Sequence, residues 1–353
     1  MKTIILTGGG TAGHILPNIA LLPHLRENFD QIIYIGSPDS MEQNLLSNYP
    51  FVQFLPITTT KFRRSLSASN LLIPFKLYRG YRQALDIIRA NQPSVIFSKG
   101  GYVSLPVILA GKKCNIPMLA HESDLSPGLT HRLTRKYFQN IFTTFRDTAN
   151  KLPNGVFSGS PFGDILHGDK QLARRLWNLD INMPVLTVIG GSLGSTTLNK
   201  IIRECIPEIT RTHQILHLTG KGKSNKNITH PHYHQVEFTT RMSEILSITD
   251  LCITRGGSNA IHELLALRIP MLIIPLSRGS RGDQVQNAQY FSSHGYALYL
   301  TEKHLDKTTF ISKWRELLDK QNLIRSTTHN ATPTDATTRI ATALIRTANN
   351  PPK

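Results

Sequence analysis

The amino-acid sequence predicts an α/β protein made of two doubly wound domains, each built on a parallel sheet. Three observations support this fold class. Short apolar runs alternate with longer helical patterns, the pattern restarts near the middle of the chain, and each series has a glycine turn after its first strand. The length of 353 residues also suits two domains of about 150 residues each.

The predicted strands are continuous apolar runs without alternation, which is typical of a sheet that is covered on both faces. The first series comprises 3–8, 31–36, 94–100, 117–122 and 141–145. The second series comprises 184–191, 214–220, 234–239, 251–257, 270–276 and 296–300. Helical patterns separate most of these runs, so parallel strands with crossover helices are expected.

Composition predicts a domain boundary between Lys151 and Asn182, where a segment rich in Pro, Gly and Ser precedes a short helical pattern. We expect an N-terminal domain over 1–160, a C-terminal domain over 161–325 and a C-terminal segment over 326–353. The middle of that last segment is expected to form a closing helix that packs on the first domain, followed by a soft tail.

The charge is unusual, because 40 Lys and Arg against 23 Asp and Glu leave a formal net charge of +17. So basic a chain is expected to contact nucleic acid, an acidic membrane surface or phosphorylated small molecules. The three cysteines show no C-x-x-C spacing, so neither a disulfide framework nor a cysteine zinc site is predicted, and a reducing cytosol is expected. The apolar N-terminal run is too short for a signal peptide, and no run is long enough to span a bilayer.

Four glycine loops each follow a predicted strand and open a predicted helix, at 8–14, 98–104, 190–195 and 254–263. Glycine lets the backbone approach a ligand closely, and a helix N-terminus favours an anion, most often a phosphate. Because parallel sheets bring such loops to one edge, we expect one pair to bind a nucleotide and the other a second phosphorylated substrate. His14 follows the first loop directly, either as a helix-capping residue or as a base or phosphate donor.

Several other chemistries are disfavoured by the motifs. The first loop matches G-x-G-x-x-G, but the next strand ends in Gly36-Ser37 instead of an acidic residue, which argues against NAD or FAD. Ala266 stands where a zinc protease motif would place its second histidine after His262-Glu263. No P-loop is present, and the missing D-x-D motif argues against a transferase that holds a diphosphate through a metal. No cofactor and no metal are therefore predicted.

Seven motifs recur in order from residue 8 to about residue 300: GGGTAGHILP, SKGGYVSLP, HESDLSPGLT, GSPF, GGSLGS, RGGSNAIHELLAL and SRGDQVQNA. Together they resemble the MurG family of N-acetylglucosaminyltransferases. The resemblance implies a GT-B fold, with two Rossmann-like domains facing across a cleft. It also implies inverting, metal-independent transfer of GlcNAc from UDP-GlcNAc to the MurNAc 4-hydroxyl of undecaprenyl-pyrophosphoryl-MurNAc-pentapeptide. That step converts lipid I to lipid II in peptidoglycan synthesis, at the cytoplasmic face of the bacterial cell membrane.

The resemblance implies site residues by position in these motifs. For UDP-GlcNAc they are Thr11, Ala12, Gly13, Ser192, Thr239, Met242, Ser258, Asn259, Ala260, Glu263, Asp283 and Gln284. For the acceptor they are Gly9, Gly10, Gly101 and Tyr102, and the loop from Thr11 to His14 also faces the lipid pyrophosphate. His14 is the first candidate for the general base, with Glu122 or Asp124 behind it. Asn199 also matches a family position, although a helix-surface asparagine explains it equally well.

Three departures from the family pattern indicate a divergent subgroup. Ser123-Asp124 stands where the family usually has Gln-Asn, and Leu193 replaces a commonly polar residue. Gly163 replaces an arginine that would help to neutralise the diphosphate. The resemblance therefore defines the donor, UDP-GlcNAc, better than it defines the acceptor.

Residues 61–89 form a basic, amphipathic segment. Its basic side chains are Lys61, Arg63, Arg64, Lys76, Arg79, Arg82 and Arg89, against the single acid Asp86. Leu71, Phe75, Tyr78, Tyr81, Leu85 and Ile88 recur at helical spacing. The segment is either a core-facing helix with a solvated basic edge or a contact with an anionic membrane surface, and we favour the membrane.

Other functions stay open at this point. One is a GT-B glycosyltransferase that acts on another membrane lipid, and a second is an enzyme like UDP-GlcNAc 2-epimerase. Nucleic-acid binding is disfavoured, because the basic residues are dispersed and no binding module is recognisable.

Overall fold

The computed structural model describes residues 1–60, 73–191, 193–277 and 282–350. The chain divides into two compact units, Met1–Gly163 with Thr334–Lys353, and Asp164–Pro333. The first, unit 1, holds a seven-stranded sheet, and the second, unit 2, holds a six-stranded sheet. Neighbouring strands are parallel in both sheets, so the predicted fold class of two doubly wound parallel-sheet domains is confirmed.

The strands of unit 1 are β1 (Thr3–Thr7), β2 (Gln31–Gly36), β3 (Val52–Pro56), β4 (Val95–Ser98), β5 (Met118–Glu122), β6 (Asn140–Thr143) and β7 (Gly155–Phe157). Those of unit 2 are β8 (Val185–Ile189), β9 (Gln214–Leu218), β10 (Tyr233–Val236), β11 (Leu251–Thr254), β12 (Met271–Ile273) and β13 (Leu298–Tyr299). The sheets run in the orders β3-β2-β1-β4-β5-β6-β7 and β10-β9-β8-β11-β12-β13. Sequence patterns predicted neither β3 nor β7, and these two form the edges of the first sheet.

The helices in the first half are α1 (Ala12–Arg26), α2 (Met41–Leu46), α3 (Ile73–Asn91), α4 (Ser104–Lys113), α5 (Leu129–Thr134), α6 (Arg146–Asn150) and α7 (Lys170–Leu176). The later helices are α8 (Thr196–Glu204), α9 (Ile206–Ile209), α10 (Met242–Ile248), α11 (Ser258–Ala266), α12 (Asp283–Ser293), α13 (Lys307–Thr327) and α14 (Ala336–Asn349).

Both faces of the first sheet are buried, which explains why its strands lack alternation. Ile4 and Leu6 point into a core shared with α1, whereas Ile5 points into the opposite core, against α3 and α4. Helix α14 returns to the first of these cores, where Ile340 and Leu344 are fully buried.

Each sheet has one point at which the strand order reverses, between β1 and β4 in unit 1 and between β8 and β11 in unit 2. Ligands of open α/β sheets bind beyond the carboxyl ends of the strands at this point. The four glycine loops predicted from the sequence follow these four strands. The fold therefore places two loops together in each unit.

The amphipathic segment divides into two parts. Residues 61–72, which include Lys61, Arg63, Arg64 and Leu71, lie outside the described residues. Along α3, Leu85 and Ile88 are buried in the core, but Phe75 and Tyr78 are 80% and 60% exposed. The core-facing interpretation is therefore correct only for the second half of this helix.

Candidate active site

His14 lies in the first turn of α1, directly after the glycine loop that follows β1. Its Nδ1 atom lies 3.2 Å from the Gly9 carbonyl oxygen and 3.1 Å from the Thr11 hydroxyl. Because a carbonyl oxygen only accepts, Nδ1 carries the proton and Nε2 keeps a lone pair. Burial, followed by the nearby Lys99 cation, lowers the pKa of His14 from 6.5 to about 4. The imidazole is therefore neutral at pH 7 and can accept a proton at Nε2.

The glycine loops after β1 and β4 lie against each other. A Cβ atom on Gly101 would lie 2.6 Å from the Gly9 carbonyl oxygen and 3.3 Å from His14 Nδ1. A Cβ atom on Gly10 would lie 2.6 Å from the Tyr102 ring. Both glycines have a positive φ, which only glycine adopts readily. The structure thus brings the four predicted acceptor residues together beside His14.

The N-terminal turn of α1 contains Thr11, Ala12 and Gly13. Thr11 occupies the N-cap position, but its side chain makes no capping hydrogen bond. Backbone N–H groups at a helix N-terminus favour an anion, so this turn suits a phosphate group.

The Glu122 carboxylate ends β5 and is buried. It accepts hydrogen bonds from His131 Nδ1 at 2.9 Å, from the Gly128 N–H at 2.8 Å and from the Asp124 N–H at 3.1 Å. Burial alone would raise the pKa of Glu122, but His131, Gly128 and Lys99 outweigh it and hold the pKa far below its ordinary range. Glu122 is therefore a fixed anion near His14, and Asp124 lies beside it, half-buried.

In unit 2, the N-terminal turn of α11 follows the glycine loop after β11. Ser258 is buried and Asn259 and Ala260 are half-buried, with Gly257 at the N-cap position. A Cβ atom on Gly257 would meet nothing within 4 Å, so there is open space before the helix. Glu263 lies further along the same helix, and burial raises its pKa from 4.5 to about 7.

Helix α12 begins with Asp283 and Gln284, the pair that the resemblance assigns to the sugar. The Gln284 Oε1 atom accepts hydrogen bonds from the Leu276 N–H at 2.9 Å and from the Gly256 N–H at 3.2 Å. These contacts tie the start of α12 to the loops after β11 and β12, and so fix Gln284 beside α11.

The remaining predicted donor residues lie on two loops. Thr239 follows β10 and its hydroxyl accepts a hydrogen bond from the Arg241 N–H at 2.9 Å, while Met242 begins α10. The Phe238 ring beside them is largely exposed, with the Lys221 ammonium 4.8 Å from its centroid. Ser192 lies outside the described residues, and Leu193 next to it is exposed.

Asn199 is not a helix-surface residue, because its side chain is only 2% exposed. Its amide donates to the Thr219 carbonyl oxygen at 2.9 Å, and its Oδ1 accepts from His217 Nε2 at 3.0 Å. Asn199 therefore joins α8 to β9 within the core of unit 2.

Comparison with known proteins places this geometry in a family. The models for the glycosyltransferase family 28 N-terminal and C-terminal domains match residues 4–143 and 185–342. A Staphylococcus epidermidis protein is 41% identical over 332 residues, which cover 92% of this chain and 93% of that protein. Its name is UDP-N-acetylglucosamine--N-acetylmuramyl-(pentapeptide) pyrophosphoryl-undecaprenol N-acetylglucosamine transferase. The chain belongs to the MurG family, within glycosyltransferase family 28.

Other proteins support the same placement. A Lachnospira eligens protein with the same name is 41% identical over 90% of this chain and 91% of its own length. The crystal structure of Acinetobacter baumannii MurG superposes with a TM-score of 0.77 over 98% of this chain and 100% of that chain, at 20% identity. The crystal structure of UDP-GlcNAc 2-epimerase from Neisseria meningitidis superposes with a TM-score of 0.70 over 98% of this chain and 100% of that chain, at 14% identity. These structural likenesses show the shared GT-B fold, and MurG-family membership makes the protein a glycosyltransferase.

Sequence reasoning missed two buried groups beside the acceptor loops of this MurG-family protein. Lys99 is 1% exposed and its ammonium donates a hydrogen bond to the Ser123 hydroxyl. Burial lowers the pKa of Lys99 from 10.5 to about 8. His131 is buried, with its Nδ1 on Glu122 and no hydrogen-bond partner for Nε2 among the described residues. Lys99 lies in the SKGGYVSLP motif and His131 directly follows HESDLSPGLT, but neither motif marks the role of the residue, since each becomes important only through contacts between separate segments.

Arg255 is the third missed residue, and it joins the donor-side loops of unit 2. Its guanidinium donates to the Ile274 carbonyl oxygen at 3.0 Å and to the Ser195 hydroxyl, and pairs with Glu302 at 2.8 Å. Ser195 in turn caps α8, and Glu302 accepts from the Ser277 N–H and hydroxyl. The one signal in the sequence is the Arg-Gly-Gly run after β11, in which the glycines alone indicate a ligand loop.

The described residues hold neither a metal cluster nor a membrane span. No group of three or more of their His, Cys, Asp or Glu side chains converges as a metal site would require. None of their helices is both long and apolar enough to cross a membrane.

Proposed function

We propose that the protein transfers GlcNAc from UDP-GlcNAc to the 4-hydroxyl of MurNAc in undecaprenyl-pyrophosphoryl-MurNAc-pentapeptide, with inversion at the anomeric carbon. The observation that carries the proposal is the likeness over 92% of the chain to a relative that bears this name. Two switch points, each with paired anion-binding loops, also suit two phosphorylated substrates. The missing D-x-D motif favours a reaction that needs no metal.

The donor would bind to unit 2. The diphosphate would lie at the N-terminus of α11, where Ser258, Asn259 and Ala260 supply N–H groups and the helix dipole favours negative charge. The Glu263 carboxylate would accept hydrogen bonds from the ribose hydroxyls, because a carboxylate is an acceptor for both.

The other donor residues would hold the two ends of the molecule. The backbone at Thr239, with Met242 beside it, would contact the uracil ring. Asp283 and Gln284 would bind hydroxyls of the GlcNAc ring, and Ser192 would contact the phosphates. Arg255 would act through these loops, since it holds Ser195 and the chain after β12 in place.

On the acceptor side, His14 would act as the general base. Its Nε2 would take the proton from the 4-hydroxyl as that oxygen attacks the anomeric carbon. The bond from the anomeric carbon to UDP breaks on the opposite face, and its electron pair stays on the departing phosphate oxygen. Charge that develops on UDP would meet the preorganised N–H groups of α11.

Glu122 supports this step without accepting the proton itself. Three hydrogen-bond donors already occupy its carboxylate, so it is a poor base. Its negative charge near His14 favours the imidazolium once that has formed. Asp124 is the second candidate for a group that supports His14.

The acceptor is bound to lipid, so the protein would act as a peripheral enzyme at the cytoplasmic face of the membrane. Exposed Phe75 and Tyr78, flanked on α3 by the exposed Lys76 and Arg79, combine aromatic rings with cations as an anionic lipid interface requires. We expect vesicle flotation to depend on anionic lipid and on low salt. Phe75→Ser with Tyr78→Ser should reduce flotation, whereas Leu323→Ser, at an exposed leucine of unit 2, should not. Binding that ignores lipid charge and salt would contradict this contact.

Radiolabel transfer tests the reaction itself. The protein is incubated with UDP-[¹⁴C]GlcNAc and a panel of polyprenyl-diphosphate acceptors, with UDP-GalNAc and UDP-glucose as donor controls. Label should enter the MurNAc acceptor and come only from UDP-GlcNAc. More efficient transfer of label to a different lipid would contradict the proposed identity of the acceptor. Conversion of UDP-GlcNAc without any acceptor would instead indicate an epimerase.

A further inference from the structure

An apolar groove of about 140 Å³ opens in unit 1 beside the loop that carries Tyr102. Its walls come from α3, α4, α5 and the chain after β3. The apolar lining is Ile73, Leu77, Leu105, Pro106, Leu129 and Leu133. The other described residues that line the groove are threonines and Tyr102, and none of the described lining residues is charged.

Close backbone packing fixes one wall of the groove. A Cβ atom on Gly80 would lie 2.1 Å from the Thr58 carbonyl oxygen, so α3 can approach the chain after β3 only because this residue is glycine. The Thr58 N–H also donates to Gln83 Oε1 at 2.7 Å. These contacts hold α3 at a defined distance from the other walls.

The groove begins where the candidate acceptor site ends. Tyr102 lines the groove and also lies against Gly10 in the loop that precedes His14. Thr130 lines the groove and donates its hydroxyl hydrogen bond to the Gly101 carbonyl oxygen at 2.8 Å. The anion-binding loops and the groove are therefore continuous.

The groove leaves large apolar side chains uncovered. Leu129 and Leu133 on α5 are 48% and 58% exposed, and exposed apolar surface gains free energy when a nonpolar group covers it. On the opposite wall, Ile73 and Leu77 lie on the same helix as the exposed Phe75. The apolar surface thus leads from the acceptor loops toward the proposed membrane contact.

We propose that this groove binds the isoprenoid chain of the acceptor, at the units next to its diphosphate; this inference rests on the proposed function. A polyprenyl diphosphate is anionic at one end and apolar along the rest of its length. The surface of the protein follows the same order, from the glycine loops through Tyr102 and Thr130 to the leucines of the groove. Since the groove is small, it holds only the first units, and the rest of the chain stays in the bilayer.

The test compares acceptors that differ only in chain length. The apparent KM is measured for a MurNAc-pentapeptide diphosphate with a methyl group and for one with a ten-carbon isoprenoid, both without membranes or detergent micelles. In the wild type, the isoprenoid should lower the KM on the order of tenfold. Leu129→Ser and Leu133→Ser should each shrink this ratio, and both positions are exposed enough to spare the core.

Two control variants distinguish the groove from the rest of the exposed apolar surface. Leu323→Ser and Leu176→Ser, at two exposed leucines of unit 2 outside the groove lining, should keep the wild-type ratio of KM values. If the wild type forms product with an equal KM for both acceptors, the groove does not bind the isoprenoid chain. In that case the protein itself or a second copy covers the groove. An unchanged ratio in both leucine variants would also overturn the proposal. Failure to form product from any acceptor would instead contradict the proposed reaction.

Discussion

At the residue scale, His14 in α1, Lys99 after β4 and Glu122 at the end of β5 come from three different elements, yet their charges act on one another. Lys99 disfavours the protonated form of His14, whereas Glu122 favours it. Burial lowers the pKa of His14 most and the Lys99 cation adds to this effect, so the free imidazole is neutral and able to accept a proton. The protonation state of the proposed base therefore depends on all three elements together.

Replacing Lys99 tests this coupling without any substrate. Lys99→Met removes a cation that lowers the pKa of His14, so that pKa should rise above about 4, while burial, the larger cause, still keeps it below 6.5. A titration of the histidine ¹⁵N signals by NMR, with His14→Gln to assign the signal, measures the change. Lys99→Arg keeps the positive charge and should leave the pKa low. A His14 pKa that is unchanged in Lys99→Met would refute the coupling.

Arg255 provides a second residue-scale prediction. Arg255→Met leaves Glu302 partly buried without its cation and frees Ser195, so we expect a loss of about 3 kcal/mol in the free energy of unfolding. Urea unfolding measures this loss, and binding of UDP should weaken as the loops relax. The double variant Arg255→Met with Glu302→Gln should recover part of the stability. Equal stability of Arg255→Met and the wild type would contradict the role of Arg255 in holding these loops together.

The residues of the candidate site also show which roles can be predicted from the sequence and which cannot. The motifs identified His14, Glu122 and the glycine loops, because each follows an apolar strand with a recognisable spacing. Lys99 and Arg255 stand inside two of these motifs and His131 directly follows a third, but the motifs did not mark these residues, since their roles arise from contacts with other segments of the chain. Arg255, for example, pairs with Glu302 across 47 residues of sequence.

At the element scale, central strands were predictable and edge strands were not. Strands such as β1 and β4 are buried on both faces and appear as continuous apolar runs. Strand β3 is half-exposed and ends in Pro56, and β7 has only three residues inside a segment rich in Pro and Gly. A short edge strand buries little apolar surface, so its hydrophobic pattern is weak.

Helix α11 carries the element-scale prediction, because its N-terminal turn and Glu263 would bind different parts of one nucleotide. Burial raises the Glu263 pKa to about 7, so the free carboxyl group is protonated below that pH. An ionised carboxylate accepts both ribose hydroxyls, so UDP affinity should fall as the pH drops from 8 to 6. Calorimetric titration with UDP measures this dependence.

Glu263→Gln supplies the control for that titration. The amide does not ionise in this range, so the variant should bind UDP more weakly at pH 8 and show little change between pH 8 and pH 6. 2′-Deoxy-UDP should lose affinity with the wild type but little with the variant. The same pH dependence in Glu263→Gln as in the wild type would contradict the ribose role.

At the scale of the whole molecule, continuous apolar strands and repeated glycine turns were sufficient to predict two parallel sheets. The return of α14 to the core of unit 1 depends on Ile340 and Leu344 meeting Ile4 and Leu6, more than 330 residues away in sequence. The net charge of +17 fits phosphorylated substrates and an anionic surface.

Buried neutral histidines should make the protein sensitive to acid. His217 accepts a hydrogen bond from the Tyr233 hydroxyl, and burial followed by the Arg203 cation lowers its pKa to about 3. The unfolded chain binds this proton near pH 6.5 and the folded chain does not, so stability falls as the pH drops below 6.5. One such group contributes about 1.4 kcal/mol per pH unit between pH 6 and pH 4.

Urea unfolding at several pH values tests whether the free energy of unfolding falls as the pH drops. His217→Gln should be less stable at pH 7, yet lose less stability than the wild type between pH 6 and pH 5. His167→Gln, at an exposed position of unit 2, should keep the wild-type dependence. Equal pH dependence in His217→Gln and the wild type would show that His217 is not the titrating group.

The central claim is that neutral His14, at the carboxyl edge of the first sheet, takes the proton in glycosyl transfer. The most direct measurement is the single-turnover rate of His14→Ala with saturating UDP-GlcNAc and lipid acceptor. The rate should fall by about 10²- to 10⁴-fold, while the affinity for UDP-GlcNAc stays close to that of the wild type. A single-turnover rate that is unchanged in His14→Ala would contradict the claim.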